Sequence, residues 1–145
     1  MKRTFLVPIA SAAVLAASLA SPALASFDPH FRVISKGIHG HEVGHGKFQF
    51  YERLIDPDNP KNKVGYDHGV CKPAGPVAGF CRATYHLDGE IGGHGDITVK
   101  GKVYQGHLTL KVVHGTDAFE GVTGGMTIAD SDLCNQCAFQ IFDLD

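Results

Sequence analysis

After residue 25 the chain repeats one pattern: apolar and polar residues alternate over short runs, and each run ends near Gly, Pro, Asn or Asp. This period-two alternation predicts β-strands with one buried face, because successive side chains of a strand point to opposite sides. No run shows the three- and four-residue apolar spacing of an amphipathic helix. We predict eight strands, at about 31–38, 47–55, 63–71, 80–87, 90–100, 103–114, 123–130 and 138–144. The expected fold is therefore all-β, an antiparallel barrel or sandwich, with a tight hairpin turn at Asp88-Gly89.

The first residues have the pattern of a secretory signal peptide. Lys2 and Arg3 precede an apolar run, and the small residues Ala23 and Ala25 form a cleavage site. A single membrane anchor is the alternative, but the run is short for a span of about 20 residues. We expect residues 1–25 to be removed, residues 26–145 to form one domain, and the protein to be secreted or periplasmic.

Composition excludes several classes of protein. The chain has 13 Lys and Arg against 15 Asp and Glu, so there is no basic excess to neutralise the phosphates of a nucleic acid. Hydrophobic residues make up 43%, which excludes a disordered chain. We expect no nucleic-acid partner and, after signal cleavage, no membrane partner.

The four cysteines are an even set, and export makes disulfides the default expectation. Four cysteines allow three pairings, of which sequence proximity favours Cys71–Cys81 and Cys134–Cys137. The spacing Cys134-Asn-Gln-Cys137 also occurs in redox-active motifs, but those begin a helix, and no helix is predicted here.

Glu52 is the most informative charged residue, because it shares a strand face with Phe48, Phe50 and Leu54. Apolar surroundings disfavour the charged form of a carboxyl group, raise its pKa and make it suitable as a general acid or base near neutral pH. The alternative is a strand-end residue or an ion pair with a neighbouring strand.

Other candidate residues follow from the same alternation. The third strand is expected to place Val64, Tyr66, His68 and Val70 on one face, and the fourth places Tyr85 with Cys81 and Ala83. The candidate catalytic residues are Glu52, Tyr66, His68 and Tyr85. The candidate ligand-binding residues are Phe48, Phe50, Tyr104, Leu108 and His114. Hydrogen-bonded positions in the barrel wall are the alternative for His68 and His114.

A rival motif lies at residues 41–45. His41-Glu42-Val43-Gly44-His45 matches the H-E-x-x-H pattern of zinc peptidases, with His39 just upstream. That chemistry needs a helix, and the four glycines between residues 37 and 46 disfavour one. We expect a loop and no resident metal, with His39, His41 and His45 as weak metal-binding candidates.

Three segments in order resemble dirigent proteins and allene oxide cyclases, especially the bacterial members of that superfamily. They are Phe50-Tyr51-Glu52-Arg53-Leu54, Val64-Gly65-Tyr66-Asp67-His68-Gly69, and the run from Gly115 to Gly124. The resemblance implies an eight-stranded antiparallel β-barrel with a central apolar cavity, often a homotrimer, and no cofactor. It also places Glu52 at the family's cavity-facing acidic position. Thr123 and Glu120, however, stand where plant dirigent proteins often have basic residues.

The sequence therefore leads to three functional hypotheses. The first is a secreted barrel that binds a small apolar organic molecule and steers its cyclisation or coupling, as a cofactor-independent cyclase or isomerase. The second is a secreted binding or structural barrel without catalysis. The third, disfavoured by the glycines, is a zinc metallopeptidase.

Overall fold

Eight antiparallel strands close into a barrel in sequence order, with β1 completing the circle beside β8. The structure, a computed structural model, describes residues 27–105 and 107–145, without the side chain of Ile38. The strands are β1 His30–Glu42, β2 Phe48–Ile55, β3 Lys63–Pro73, β4 Ala78–Asp88, β5 His94–Tyr104, β6 His107–Gly115, β7 Gly124–Asp130 and β8 Cys137–Leu144. One short 3-10 helix, Asp117–Phe119, precedes β7.

This architecture confirms the predicted all-β fold and selects the eight-stranded antiparallel barrel. The expected signal peptide lies outside the described residues. Among those described, no helix is long and apolar enough to cross a bilayer. Several strand boundaries were predicted wrongly: β1 continues to Glu42 through part of the expected loop, and β5 runs from His94 to Tyr104. The turn before β6 falls at Gln105, whose φ is 50°. The predicted two-residue turn at Asp88-Gly89 is a longer loop, in which Gly89, Gly92 and Gly93 adopt positive φ.

One end of the barrel is closed by aromatic side chains. Phe31 stacks on Phe142 with ring centroids 4.5 Å apart, and Phe119 packs against both Phe27 and Phe31. Phe31, Phe119 and Phe142 are all buried, and aromatic contacts of this size dominate the stability of a core. We call this the closed end. It is also the end where the chain enters β1 and leaves β8.

The opposite end, which we call the mouth, carries the four hairpin connections β1–β2, β3–β4, β5–β6 and β7–β8. Both expected disulfides form near it: Cys71–Cys81 joins β3 to β4 across directly opposed positions, and Cys134–Cys137 closes the chain into β8. The disulfides therefore hold the rim at which the interior meets solvent.

Loss of the β3–β4 disulfide is expected to destabilise the barrel measurably. The Cys71–Cys81 bond closes a loop with a sequence separation of 10, which corresponds to about 2–3 kcal/mol of unfolding free energy by loop-entropy reasoning. Thermal denaturation of the double Cys71→Ala, Cys81→Ala variant measures this. The matched variant Cys134→Ala, Cys137→Ala, with a separation of 3, should lose less. Equal losses in the two variants would contradict the loop argument.

Two β-bulges decide which side chains reach the interior. In β3 the register with β2 shifts so that Leu54 faces Gly65 and Ile55 faces Lys63, leaving Val64 unpaired. In β6, Val112 faces Val99 and His114 faces Thr98, leaving Val113 unpaired. A bulge adds one residue, so every residue beyond it points to the face opposite to the one that strict alternation predicts.

The faces expected for Tyr66, His68, Val70 and His114 are therefore wrong, and that of Tyr104 is wrong for another reason. Beyond the Val64 bulge, Tyr66 and His68 lie on the outer wall and Asp67 points inward. Beyond the Val113 bulge, His114 is exposed outside. Tyr104 is also exposed outside, because it ends β5 instead of lying within a longer sixth strand.

Candidate functional site

A cavity of about 430 Å³ occupies the mouth half of the barrel. Its wall is largely apolar and includes both cysteines of the Cys71–Cys81 disulfide, and Phe48 and Ile128 stand partly exposed beside the opening. Small interior side chains make this space, Ala83 on β4 and Ala138 on β8 among them. A mostly apolar hollow with a few polar groups is typical of small-molecule sites.

Glu52 brings a carboxyl group to the wall of this cavity, where it lies with Phe48 and Phe50 on the inner face of β2. Burial raises the pKa of Glu52 above its ordinary value, and the adjacent hydroxyl of Ser35 partly opposes that rise. The structure thus places Glu52 at a largely apolar wall, on the face that alternation predicted, and its catalytic role stays a prediction. A carboxyl group of raised pKa at a cavity wall can hold or release a proton near neutral pH.

Asp67 is a second buried acid, and it lies in register with Glu52 on one side and with Tyr85 on the other. Its side chain has no exposed surface, and neither carboxyl oxygen has a hydrogen-bond partner of good geometry. Burial, together with the negative charge of Glu52, raises the pKa of Asp67 to about 8. Two like charges this close disfavour double ionisation, so Asp67 retains a proton while Glu52 ionises.

A chain of polar side chains crosses the interior to Glu52. The Tyr85 hydroxyl donates to Oε1 of Gln140 at 3.1 Å, and Nε2 of Gln140 donates to Oγ of Ser35 at 2.8 Å. The Ser35 hydroxyl thereby keeps its own hydrogen for Glu52, in keeping with its effect on the pKa of that residue. Burial and the two carboxyl groups raise the pKa of Tyr85 well above its usual value, so the phenol stays protonated.

The structure brings together only part of the site expected from the sequence. Glu52, Tyr85, Phe48, Phe50 and Leu108 all line the cavity. Tyr66 and His68 do not: both rings stack on His86 on the outer wall, at 4.4 Å and 5.2 Å between centroids. Tyr104 and His114 lie outside as well and line no part of this cavity.

The H-E-x-x-H segment is not helical. His39, His41 and Glu42 belong to β1, and His45 lies in the turn to β2 with a φ of 50°. The helical face that would aim His41 and His45 at one zinc ion is therefore absent. Within the parts of the chain that the structure covers, no three His, Cys, Asp or Glu side chains converge as a metal-binding group.

Sequence reasoning missed Asp67, Ser35 and Gln140. Val64 is an interior residue, so strict alternation counted from it places Asp67 on the outer face. The bulge reverses this, and it leaves no mark in the sequence pattern. Interior positions of β3 are occupied by Gly65, Asp67 and Gly69, and a Cβ on Gly69 would collide with the Phe50 ring. The paired glycines two residues on either side of Asp67 were the one available signal for a crowded inner face.

Comparison with known proteins supports the fold and goes no further. No family model matches the chain, and no curated protein matches it. Among solved structures, it is similar to a pyocyanin demethylase, with 19% identity, a TM-score of 0.63, and 80% of this chain and 99% of the other covered. It is also similar to a pterocarpan synthase dirigent protein, with 15% identity, a TM-score of 0.57, and 98% and 96% covered. The chain thus has a dirigent-like barrel fold, as the sequence resemblance implied.

Proposed function

We propose that this protein binds a small apolar organic molecule inside the barrel and catalyses a proton-transfer step on it, such as the isomerisation or cyclisation of a reactive substrate. One observation carries the proposal: a pair of neighbouring carboxyl groups, of which Glu52 lines a largely apolar cavity and Asp67 is buried opposite it on β3. A binding protein without chemistry has no need of such a pair, which is costly to bury.

The three acidic groups have distinct roles in this scheme. Glu52, the only one of the two carboxyl groups that lines the cavity, takes a proton from one position of the substrate and returns it to another. The reaction is then an isomerisation and needs no oxidant, reductant or cofactor. Tyr85 stays neutral, and its one hydroxyl hydrogen, which it donates to Gln140 in this structure, would turn to developing negative charge on a substrate oxygen. Asp67 acts through Glu52: its neutral carboxyl group donates its hydrogen toward Glu52 and partly opposes the rise that burial causes in the pKa of Glu52, so Asp67 is a positioning residue.

The aromatic wall favours a planar or ring-containing ligand. Phe48 and Phe50 form one side of the cavity, and rings of this type prefer offset-stacked or edge contacts with other rings. The similar solved structures are named for a demethylase of pyocyanin and a synthase of pterocarpans, both of which are enzymes of small organic molecules. The confined space would hold a flexible substrate in one folded shape, which lowers the entropic part of the barrier.

Export is part of the proposal. The start of the sequence matches a secretory signal, and two disulfides suit an oxidising compartment. We also propose the homotrimer that the resemblance implies; analytical ultracentrifugation of the purified protein tests it.

Filling the cavity is expected to abolish ligand binding. Ala83 is buried and lines the cavity, so Ala83→Leu adds three carbon atoms to the binding space. A panel of ring compounds screened by calorimetry supplies the aromatic ligand. We expect the affinity for that ligand to fall at least about 100-fold in the variant, because a steric clash removes a buried ring contact.

The matched control is Ala129→Leu, which makes the same change at an exposed position of β7. It should leave affinity unchanged within about twofold. Retained binding in Ala83→Leu, with the fold intact by circular dichroism, would place the ligand site elsewhere. If no ring compound binds the unaltered protein at all, the proposed function is wrong.

A further inference from the structure

We propose, in place of the sequence-based expectation of no membrane partner, that the mouth end of the outer wall docks on an anionic lipid bilayer. The surface in question, which we call the basic wall, lies on the outside of β3–β6. It consists of Lys72, Arg82, Lys100, Lys102 and Lys111 around Val70 and Phe80, and all of these except Lys72 border an outer groove of about 800 Å³. It is separate from the barrel interior, so the proposal stands independently of the catalytic one.

The register of the strands places the positively charged residues of the basic wall next to one another. Arg82 faces Lys100 directly across the β4–β5 pair, and Lys100 faces Lys111 across the next pair. Like charges directly opposed on adjacent strands destabilise a sheet. Among the residues that the structure describes, the ion pairs are His30–Asp143 and His86–Asp96, and neither involves this wall. Within the described parts of the chain, no carboxylate pairs with these cations, and Lys102 lies over the Phe80 ring, so the clustering favours an anionic partner.

Apolar side chains continue the basic wall toward the mouth. Phe80 is 52% exposed between Lys72 and Lys102, with the Lys102 ammonium 5.8 Å from its ring centroid. Tyr104 at the end of β5 is 58% exposed and Val77 in the β3–β4 connection is 53% exposed. From the tip inward, Val77 and Tyr104 come first, Phe80 lies level with Lys72 and Lys102, and Arg82, Lys100 and Lys111 lie behind. Apolar side chains at the tip with cations beside and behind them match the order of acyl chain and phosphate in a lipid leaflet.

The charge distribution over the rest of the molecule favours one orientation of the barrel at an anionic surface. Acidic residues concentrate in the closed-end loops: Asp56, Asp58, Asp88, Glu90, Asp117 and Glu120. At the mouth, the acids Glu42, Asp130 and Asp132 belong to the other two hairpin regions, β1–β2 and β7–β8. A negatively charged surface therefore repels the closed end and attracts the side of the mouth formed by β3–β6.

The exposed apolar tips favour a bilayer over a soluble polyanion. A polysaccharide or nucleic acid would neutralise the cations but would leave Val77, Phe80 and Tyr104 in water. A bilayer accommodates both groups at once. Docked in this way, the mouth of the cavity faces the leaflet, from which an apolar ligand can pass without crossing water.

Vesicle sedimentation tests the proposal, with protein whose N-terminus has been shown by mass spectrometry to lack residues 1–25. Vesicles of phosphatidylglycerol should pellet the protein at 0.1 M salt, and vesicles of phosphatidylcholine should not. The triple variant Lys100→Gln, Lys102→Gln, Lys111→Gln should bind phosphatidylglycerol at least about tenfold more weakly. The control triple Arg32→Gln, Lys61→Gln, Lys63→Gln, which removes the same charge toward the closed end, should stay within twofold.

Tryptophan fluorescence tests the contact of Phe80 with the bilayer. The chain contains no Trp, so one introduced Trp reports on its own position. A Phe80→Trp reporter should shift to the blue with phosphatidylglycerol vesicles and be quenched by brominated acyl chains. Val113→Trp, exposed near the closed end, should do neither. Equal losses of vesicle affinity in the two triple variants would overturn the proposal. Binding to dextran sulfate without any binding to vesicles would also overturn it, and would assign the basic wall to a soluble polyanion.

Discussion

Glu52→Gln is expected to reduce turnover by about 10²–10⁴-fold while leaving ligand affinity within about threefold. The substitution keeps the shape of the side chain and removes its ability to accept a proton, and general acid–base catalysis contributes an acceleration of this size. Deuterium incorporation into the bound ligand in D₂O, followed by mass spectrometry, measures the proton transfer even where the product has not been identified. Calorimetry on the same samples measures the affinity.

The pH dependence of the unaltered protein provides a second readout. As a base, Glu52 must be ionised, so the rate should rise with pH through a value above the usual glutamate pKa. Ionisation of Asp67, with a pKa of about 8, then places a second charge beside Glu52, and the rate should change again near that pH. Glu120→Gln, an exposed substitution at the closed end, is the control and should not alter either measurement. Full exchange in Glu52→Gln would remove Glu52 from the mechanism.

Asp67→Asn is expected to make the protein more stable at pH 8 and equally stable at pH 4. The folded protein raises the pKa of Asp67 from an ordinary 3.8 to about 8, so the folded state binds a proton that the unfolded state has lost. Stability from this group is therefore complete below about pH 4 and declines by a few kcal/mol as pH rises to about 8, after which it stays constant. Asparagine is neutral at every pH and removes that decline.

Melting temperatures measured from pH 4 to pH 8.5 check this linkage. The Asp67→Asn variant should melt at least about 5 °C above the unaltered protein at pH 8, and the difference should vanish near pH 4. Asp58→Asn makes the same chemical change at an exposed loop position and should shift melting by little at either pH. A loss of stability in Asp67→Asn that is the same at all pH values would mean that the carboxyl oxygens have partners that asparagine cannot replace.

The fold could be predicted because its signal is distributed over many residues. Alternation in eight runs, with turn residues between them, remains legible even where single boundaries are misplaced, as they are at β5 and β6. The disulfide pairing of Cys71 with Cys81 could be predicted too, since a short separation across a hairpin leaves few other geometries.

The site could be predicted in β2, in β4 and at Leu108 near the start of β6, where the alternation is uninterrupted. Glu52 and Tyr85 lie in strands whose inner positions keep one parity from end to end, so their faces follow from counting. Asp67 and His114 lie beyond a bulge, and a one-residue register shift depends on pairing with another strand, which no local pattern records. Ser35 and Gln140 gain their importance from each other, although 105 positions apart in the chain.

The bulge at Val64 has an evolutionary consequence. Deletion of that single codon would make Lys63–Ile55 and Gly65–Leu54 consecutive pairs and restore strict pleating along β3. Asp67 would stay opposite Glu52 in the lumen, and the loss would be the buried side chain of Val64. A barrel of this kind can thus change the packing volume near its closed end by one residue, while its pair of acids and its hydrogen-bonded ladders persist.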